Sequence, residues 1–283
     1  MSMGSCKIKA VINTVQREIY PMSVRPRDLP DHFLSLGQYE FTLDDAATVI
    51  GSDRGAAADA LGRLQRRKQV FSPARGLYVA VPPEYRSWGV LPGDWFIDAM
   101  MRHLGRPYYV ALLTAARIHG ASHQAPQVFQ VMVDSPAPLR DRDLGRVRLR
   151  FYSSKHVLED KVQRITVPTG YLTVSARETT VVDLIAHHRA CGGYSNVATI
   201  LMELGELGGS ELARVASRRG RALVRRTGWF VERFAHADDL EALRQAARLD
   251  LGEPALLDPA AGKRGKTDLD WRVRVNTQVQ PDL

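Results

Sequence analysis

Residues 42–76 read TLDDAATVIGSDRGAAADALGRLQRRKQVFSPARG, and the fold of the N-terminal third turns on them. Thr42 followed by an acid at Asp45 is a helix-opening pattern: the hydroxyl satisfies a free amide and the acid complements the helix dipole. Ala46, Ala47 and Ile50 supply an apolar stripe that stops at Gly51, a residue suited to ending a helix. Ser52 is placed to cap a second helix, in which Ala57, Leu61 and Leu64 share one face. QVFSPARGLYVAV then alternates as two short strands around a turn at Pro73–Gly76. Helix, two-residue turn, helix and hairpin in that order predict a winged helix-turn-helix between about Asp28 and Val81.

Working outward, a short helix is expected over Leu29–Leu36, ending at Gly37, with a strand near Tyr39–Phe41. Upstream, Ile8, Val11, Ile12, Val15 and Ile19 are spaced for an amphipathic helix. Downstream, PPEYRSWGVLPGD (82–94) is rich in Pro and Gly and marks a boundary. The expected organisation is residues 1–88 as a winged helix-turn-helix domain and 89–283 as a second domain. That second domain should be mixed: helices near Trp95–Leu104 and Val110–His119, strands near 128–133, 146–152, 162–167 and 171–174, and a helix opened by a Ser175-to-Glu178 capping box. Three or four helices follow over 194–248, and an extended stretch lies at 271–275. The predicted fold class is therefore α+β, with a mixed α/β second domain carrying a helical array.

The bulk properties fit a two-domain globular chain. It has 283 residues, 45% hydrophobic and 25% charged, with 39 Lys+Arg against 31 Asp+Glu. The excess of +8 and a pI near 9.7 favour a polyanionic partner. The two cysteines, Cys6 and Cys191, have no metal-ligand spacing. No apolar run reaches the ~20 residues of a membrane helix, and no secretory signal is evident. A cytoplasmic protein without membrane contact is expected.

At ~100° per residue, Ser52, Gly55, Asp59, Gly62, Arg63 and Arg66 face away from the apolar stripe of the second helix. Arg54, near its start, is placed to reach base edges, where its fork suits guanine. Arg66, Arg67 and Lys68 cluster at its far end, where phosphates are expected, and Arg75 sits at the hairpin tip. The candidate DNA-binding set is Ser52, Arg54, Arg63, Arg66, Arg67, Lys68 and Arg75. Two other readings stay open. RLQRRK can be a solvated helix end, and such modules can dock proteins. Asp59 on the outer face runs against DNA binding unless it selects cytosine or orients an arginine.

Further basic groups lie in the second domain. Strand alternation puts Arg146, Arg148 and Arg150 on one face, either tracking phosphate or simply solvated. Arg214, Arg218, Arg219, Arg221, Arg225 and Arg226 form a dense helical patch, and Lys263, Arg264 and Lys266 a basic loop. Catalytic patterns are poor. His119 and His123 lack a third ligand and are separated by Gly120. The adjacent pairs His187–His188, Glu159–Asp160 and Asp238–Asp239 fit no metal-assisted motif. No phosphate-binding loop or nucleophile elbow is present, and Asp268, Asp270 and Lys266 are a faint nuclease-like set. No catalytic residue, metal or cofactor is assigned.

The order of a winged helix, YYVALLTAARIHGASHQAPQVFQVMV, TVSARETTVVDLI and a late helical array resembles AbiEi-type antitoxins of type IV toxin–antitoxin systems, known also for phage abortive infection. The markers are small-residue patterns around Ala115–Ala116, Gly120 and Thr179–Asp183. The resemblance implies a non-enzymatic antitoxin and autorepressor. Its winged helix would bind inverted repeats in double-stranded operator DNA, and its second domain would counteract a nucleotidyltransferase-type toxin. Alternatives are an antitoxin that masks its toxin by direct binding, and a nucleic-acid-processing enzyme.

Overall fold

A computed structural model describes residues 23–121, 128–134, 139–249 and 252–281. The helix expected over 7–20, Cys6 and His123 lie outside the described residues. The fold is α+β. It divides into two compact units: one runs to Leu104 and takes in Leu144–Arg146, and the other comprises Gly105–Asp143 and Val147 onward.

The first unit begins with a 3-10 turn at Pro26–Asp28 and helix α1, Leu29–Ser35. Strand β1, Glu40–Thr42, leads into α2, Leu43–Ile50, and then α3, Arg54–Arg66. Thr42 opens α2 with a full capping box, its side chain accepting from the Asp45 amide while Asp45 accepts from the Thr42 amide. Gly51 ends α2 in the left-handed region at φ +72°. The cap of α3 is Asp53 rather than Ser52: its carboxylate accepts from the Ala56 amide at 2.8 Å. Strands β2, Val70–Ala74, and β3, Leu77–Ala80, follow.

The three strands form an antiparallel sheet in the order β1-β3-β2. The expected four-residue turn is shorter, because Pro73 and Ala74 remain in β2 and only Arg75–Gly76 turns. The register is irregular between Phe71 and Ala74, as expected where Pro73 has no amide to give the ladder. Phe33 stacks on Phe41 at 4.2 Å over a core of Leu29, Ala46, Val49, Ala57, Ala60, Leu61 and Leu64. Helix α4, Gly93–His103, expected in the second domain, packs with this unit. Its Phe96 meets Phe71 edge-on at 5.1 Å.

The second unit carries a six-stranded mixed sheet. Its strands are β4, Tyr108–Val110; β5, Phe129–Asp134; β6, Arg142–Leu144; β7, Val147–Ser154; β8, Val162–Val167; and β9, Gly170–Ser175. Their order is β6-β7-β5-β4-β9-β8. Val110, expected to start a helix, is strand, and α5 runs Leu112–Ile118. Helix α6, Arg177–Ala186, has no side-chain cap. The expected capping box is absent because Ser175 ends β9, its hydroxyl bonding Thr180 and the Val110 carbonyl, while Glu178 accepts from the Gly208 amide.

The helical array is α7, Gly193–Glu203; α8, Gly209–Arg219; α9, Arg221–Phe234; and α10, Glu241–Arg248. Its core joins Val181, Ile185, Val197, Leu201, Val215, Phe230 and Trp271. Trp271 is fully buried and its indole N–H donates to Glu232 at 2.7 Å. It lies so close to α9 that a Cβ on Gly228 would fall 2.0 Å from its ring.

Gly228→Ala should therefore destabilise the chain by about 1–3 kcal/mol through overpacking. Denaturant unfolding checks this, with the same substitution repeated in a Trp271→Ala background, where the cost should largely vanish. Equal costs in both backgrounds would mean that the indole is not what excludes the methyl.

Candidate nucleic-acid interface

The exposed surface of α3 follows from its helical period. Ala57, Ala60, Leu61 and Leu64 are buried, whereas Gly55, Asp59, Arg63 and Arg66 are exposed. Arg63, Arg66 and Arg67 have no charged partner among the described residues, so their guanidinium groups are open to a ligand. Arg75 is also exposed, at the β2–β3 turn, where its carbonyl is held by His103 Nε2 at 3.0 Å.

The other three candidates are engaged. Arg54 bonds the carboxylate of Asp44; both side chains are well exposed, so the pair is a weak contact that a ligand can replace. The Ser52 hydroxyl donates to the Asp53 carbonyl at 3.3 Å. Lys68 is exposed and makes local contacts. It sits at φ +58°, its ammonium donates to the Ser87 carbonyl at 3.2 Å, and its stem occupies the space where a Cβ on Gly89 would stand.

The basic groups of the second domain sort differently from the sequence expectation. Arg146 precedes its strand and lies 4.9 Å over the Trp88 ring. Arg150 is held by Asp143 at 2.9 Å and Asp141 at 3.5 Å. Arg148 alone of the three is exposed without a partner among the described residues. In the helical patch, Arg214 pairs with Glu211 and Arg218 with Glu159. Arg225 and Arg226 each donate to a carbonyl at 2.8 Å, those of Glu253 and Leu256. Lys266 belongs to a strand, Lys266–Asp268, and Asp268 pairs with Arg233 at 2.6 Å.

Arg219 is not a surface residue. It lies in the core, bonded to Asp160 at 2.6 Å and Asp183 at 2.8 Å. The Tyr109 hydroxyl donates to Asp183 at 2.9 Å. Two buried carboxylates thus share one guanidinium, an arrangement in which losing any partner strands a charge. Burial pushes the Asp183 carboxyl up to about 6, against the pull of Arg219 and the Tyr109 hydroxyl.

The histidines are tied into packing. His119 Nε2 meets the Ser175 carbonyl at 2.7 Å, just after α5 ends and before Gly120 at φ +86°. His187 faces Tyr152, while His188 stacks on Tyr194 at 3.8 Å. Burial lowers the pKa of all three. Burial also pushes the Cys191 thiol up to about 12, leaving it an inert core group. Among the described residues no cluster of three or more His, Cys, Asp or Glu is placed to hold a metal ion, and no helix is long and apolar enough to cross a membrane.

Residues 109–233 match the family model described as the AbiEi antitoxin C-terminal domain. A crystal structure of the RV2827C protein from Mycobacterium tuberculosis is similar over 87% of this chain and 89% of that one, with a TM-score of 0.61 and 13% identity. At that identity the likeness is one of fold. No curated protein sequence matches the chain.

The buried triad has a pH signature. An ordinary Asp titrates near 3.9, so a carboxyl held at about 6 favours the folded state most below pH ~4 and loses that contribution as pH rises through about 6. Unfolding free energy measured across this window should fall more steeply for the native chain than for Asp183→Asn. Parallel profiles for the two proteins would remove Asp183 as the titrating group.

Proposed function

On the premise that this chain carries the AbiEi antitoxin C-terminal domain, we propose that it is an antitoxin that also represses its own operon. The first unit acts as a winged helix-turn-helix, with α3 as the recognition helix and the β2–β3 hairpin as the wing. The second unit counteracts a nucleotidyltransferase-type toxin. Arg63, Arg66, Arg67 and Arg75 meet DNA, while Arg54 reads a base after exchanging Asp44 for a guanine edge. The carrying observation is the match of residues 109–233 to the antitoxin domain in a chain whose Arg63, Arg66 and Arg67, on and just after α3, are exposed with no charged partner among the described residues.

The physical support is geometric. A recognition helix meets base edges with its N-terminal residues and backbone with its flanks. Gly55 and Gly62 keep the exposed face of α3 low enough for a close approach. Asp44 holds the Arg54 guanidinium only through an exposed pair, which a better acceptor can displace. Charge-to-phosphate contacts release counterions, so affinity should fall steeply with salt.

A reporter driven by the DNA upstream of its own gene, with the neighbouring gene co-expressed, tests both halves. Expected are repression of the reporter and rescue of growth from the neighbouring product. Arg54→Ala should lower discrimination between upstream and scrambled duplexes about 10- to 100-fold, the cost of one bidentate base contact, while leaving growth rescue intact. An unrepressed reporter removes the operator role, and unrescued growth removes the antitoxin role. Co-purification with the neighbouring product would instead favour masking by direct contact.

A further inference from the structure

A groove of about 570 Å³ runs along one flank of α3, bounded by Arg25, Pro26 and Arg27 on one side and by Arg63 and Arg67 on the other, with Ala60 and Leu64 as its floor. Arg25 is braced by Asp28, Nε to carboxylate at 2.6 Å, and Arg27 lies 3.6 Å from the same acid. Asp28 is shared between these two exposed arginines, and four guanidinium groups against one carboxylate leave the groove strongly positive. Arg63 and Arg67 have no charged partner among the described residues.

The direction this groove faces gives it a role. At ~100° per residue, Gly55, Asp59, Gly62 and Arg66 mark the outer face of α3, opposite the buried stripe. Arg63 and Arg67 lie about a quarter-turn away, on the side where the Pro26 turn packs. A helix seated in a major groove presents its outer face to bases and its flanks to the phosphate walls. Arg63 and Arg67 are four residues apart, hence ~6 Å along the axis, against ~3.4 Å of axis per phosphate on one strand.

We propose that this four-arginine groove is a backbone clamp that holds neighbouring phosphates of one DNA strand beside α3, with the Pro26–Asp28 turn as its outer jaw. It rests on the reading of the first unit as a DNA-binding module and adds Arg25 and Arg27 to it. The clamp contributes affinity and register, not sequence choice, because each arginine meets a group common to all nucleotides. The Pro26 ring restricts the backbone of the outer jaw, so less ordering is needed there on binding.

The test is the salt dependence of binding of the full chain to two duplexes of equal length, one from the DNA upstream of its gene and one of random sequence. Each phosphate contact contributes ~0.9 to the slope of log affinity against log salt. The Arg63→Ala/Arg67→Ala and Arg25→Ala/Arg27→Ala double variants should each lose about 1–2 from that slope, equally on both duplexes, with circular dichroism unchanged. Unchanged slopes for both variants, with native binding intact, would overturn the clamp and leave the DNA-binding reading standing. Absence of native binding to either duplex would overturn both. Calorimetric titration with inorganic pyrophosphate separates the other source of the same chemistry: tight binding that the double variants abolish, with DNA slopes unchanged, would assign the groove to a small phosphorylated ligand and overturn the clamp.

Discussion

The left-handed turn at Gly51 sets the geometry on which the first unit depends. At φ +72° a side chain would be strained, and the chain can leave α2 there and enter α3 after only Ser52 and Asp53. So short a turn forces the two helices together, and the residues that meet are small or flat: Ala46, Ala47, Ala57 and Ala60 are all buried. Close approach in turn lets one shallow core, sealed by Phe33 on Phe41, hold three helices and three strands. The arginine-bearing face of α3 is outward because its other face has been spent on that core.

The basic surplus of the chain is divided by partner rather than by position. Arg150, Arg214, Arg218 and Arg225 have acids or carbonyls, and Arg219 is buried between two carboxylates. These groups hold the second unit together, and a ligand would have to break a bond to use them. Arg63, Arg66, Arg67 and Arg75 in the first unit are exposed with no such competitor among the described residues. A charge already satisfied inside the fold has little to give a phosphate, so these paired groups add to the pI near 9.7 without being open to a ligand.

Much of this was legible in the residues, and the failures have physical causes. Thr42 with Asp45, Gly51 and the spacing of Ala57, Leu61 and Leu64 are local signals, and the helices they imply are present. The family resemblance was carried by patterns such as TTVVDLI, and residues 109–233 match the antitoxin domain. Ser52 and Asp53 are both good caps, and only the backbone leaving Gly51 decides for Asp53. The two- and three-residue strands are too short to show a period. Arg219 was missed although the signal was there: it follows Leu212, Val215 and Ala216 on the apolar stripe of α8, and Asp183 stands inside an apolar run. Each looks like a surface charge by type and like a core residue by spacing, and spacing was the better guide.

Footprinting the purified chain on the DNA upstream of its own gene tests the central claim most directly. The account predicts protection of paired inverted repeats at low salt, fading as salt rises from about 50 to 200 mM. No protection at low salt, or uniform protection along the whole fragment, would contradict it.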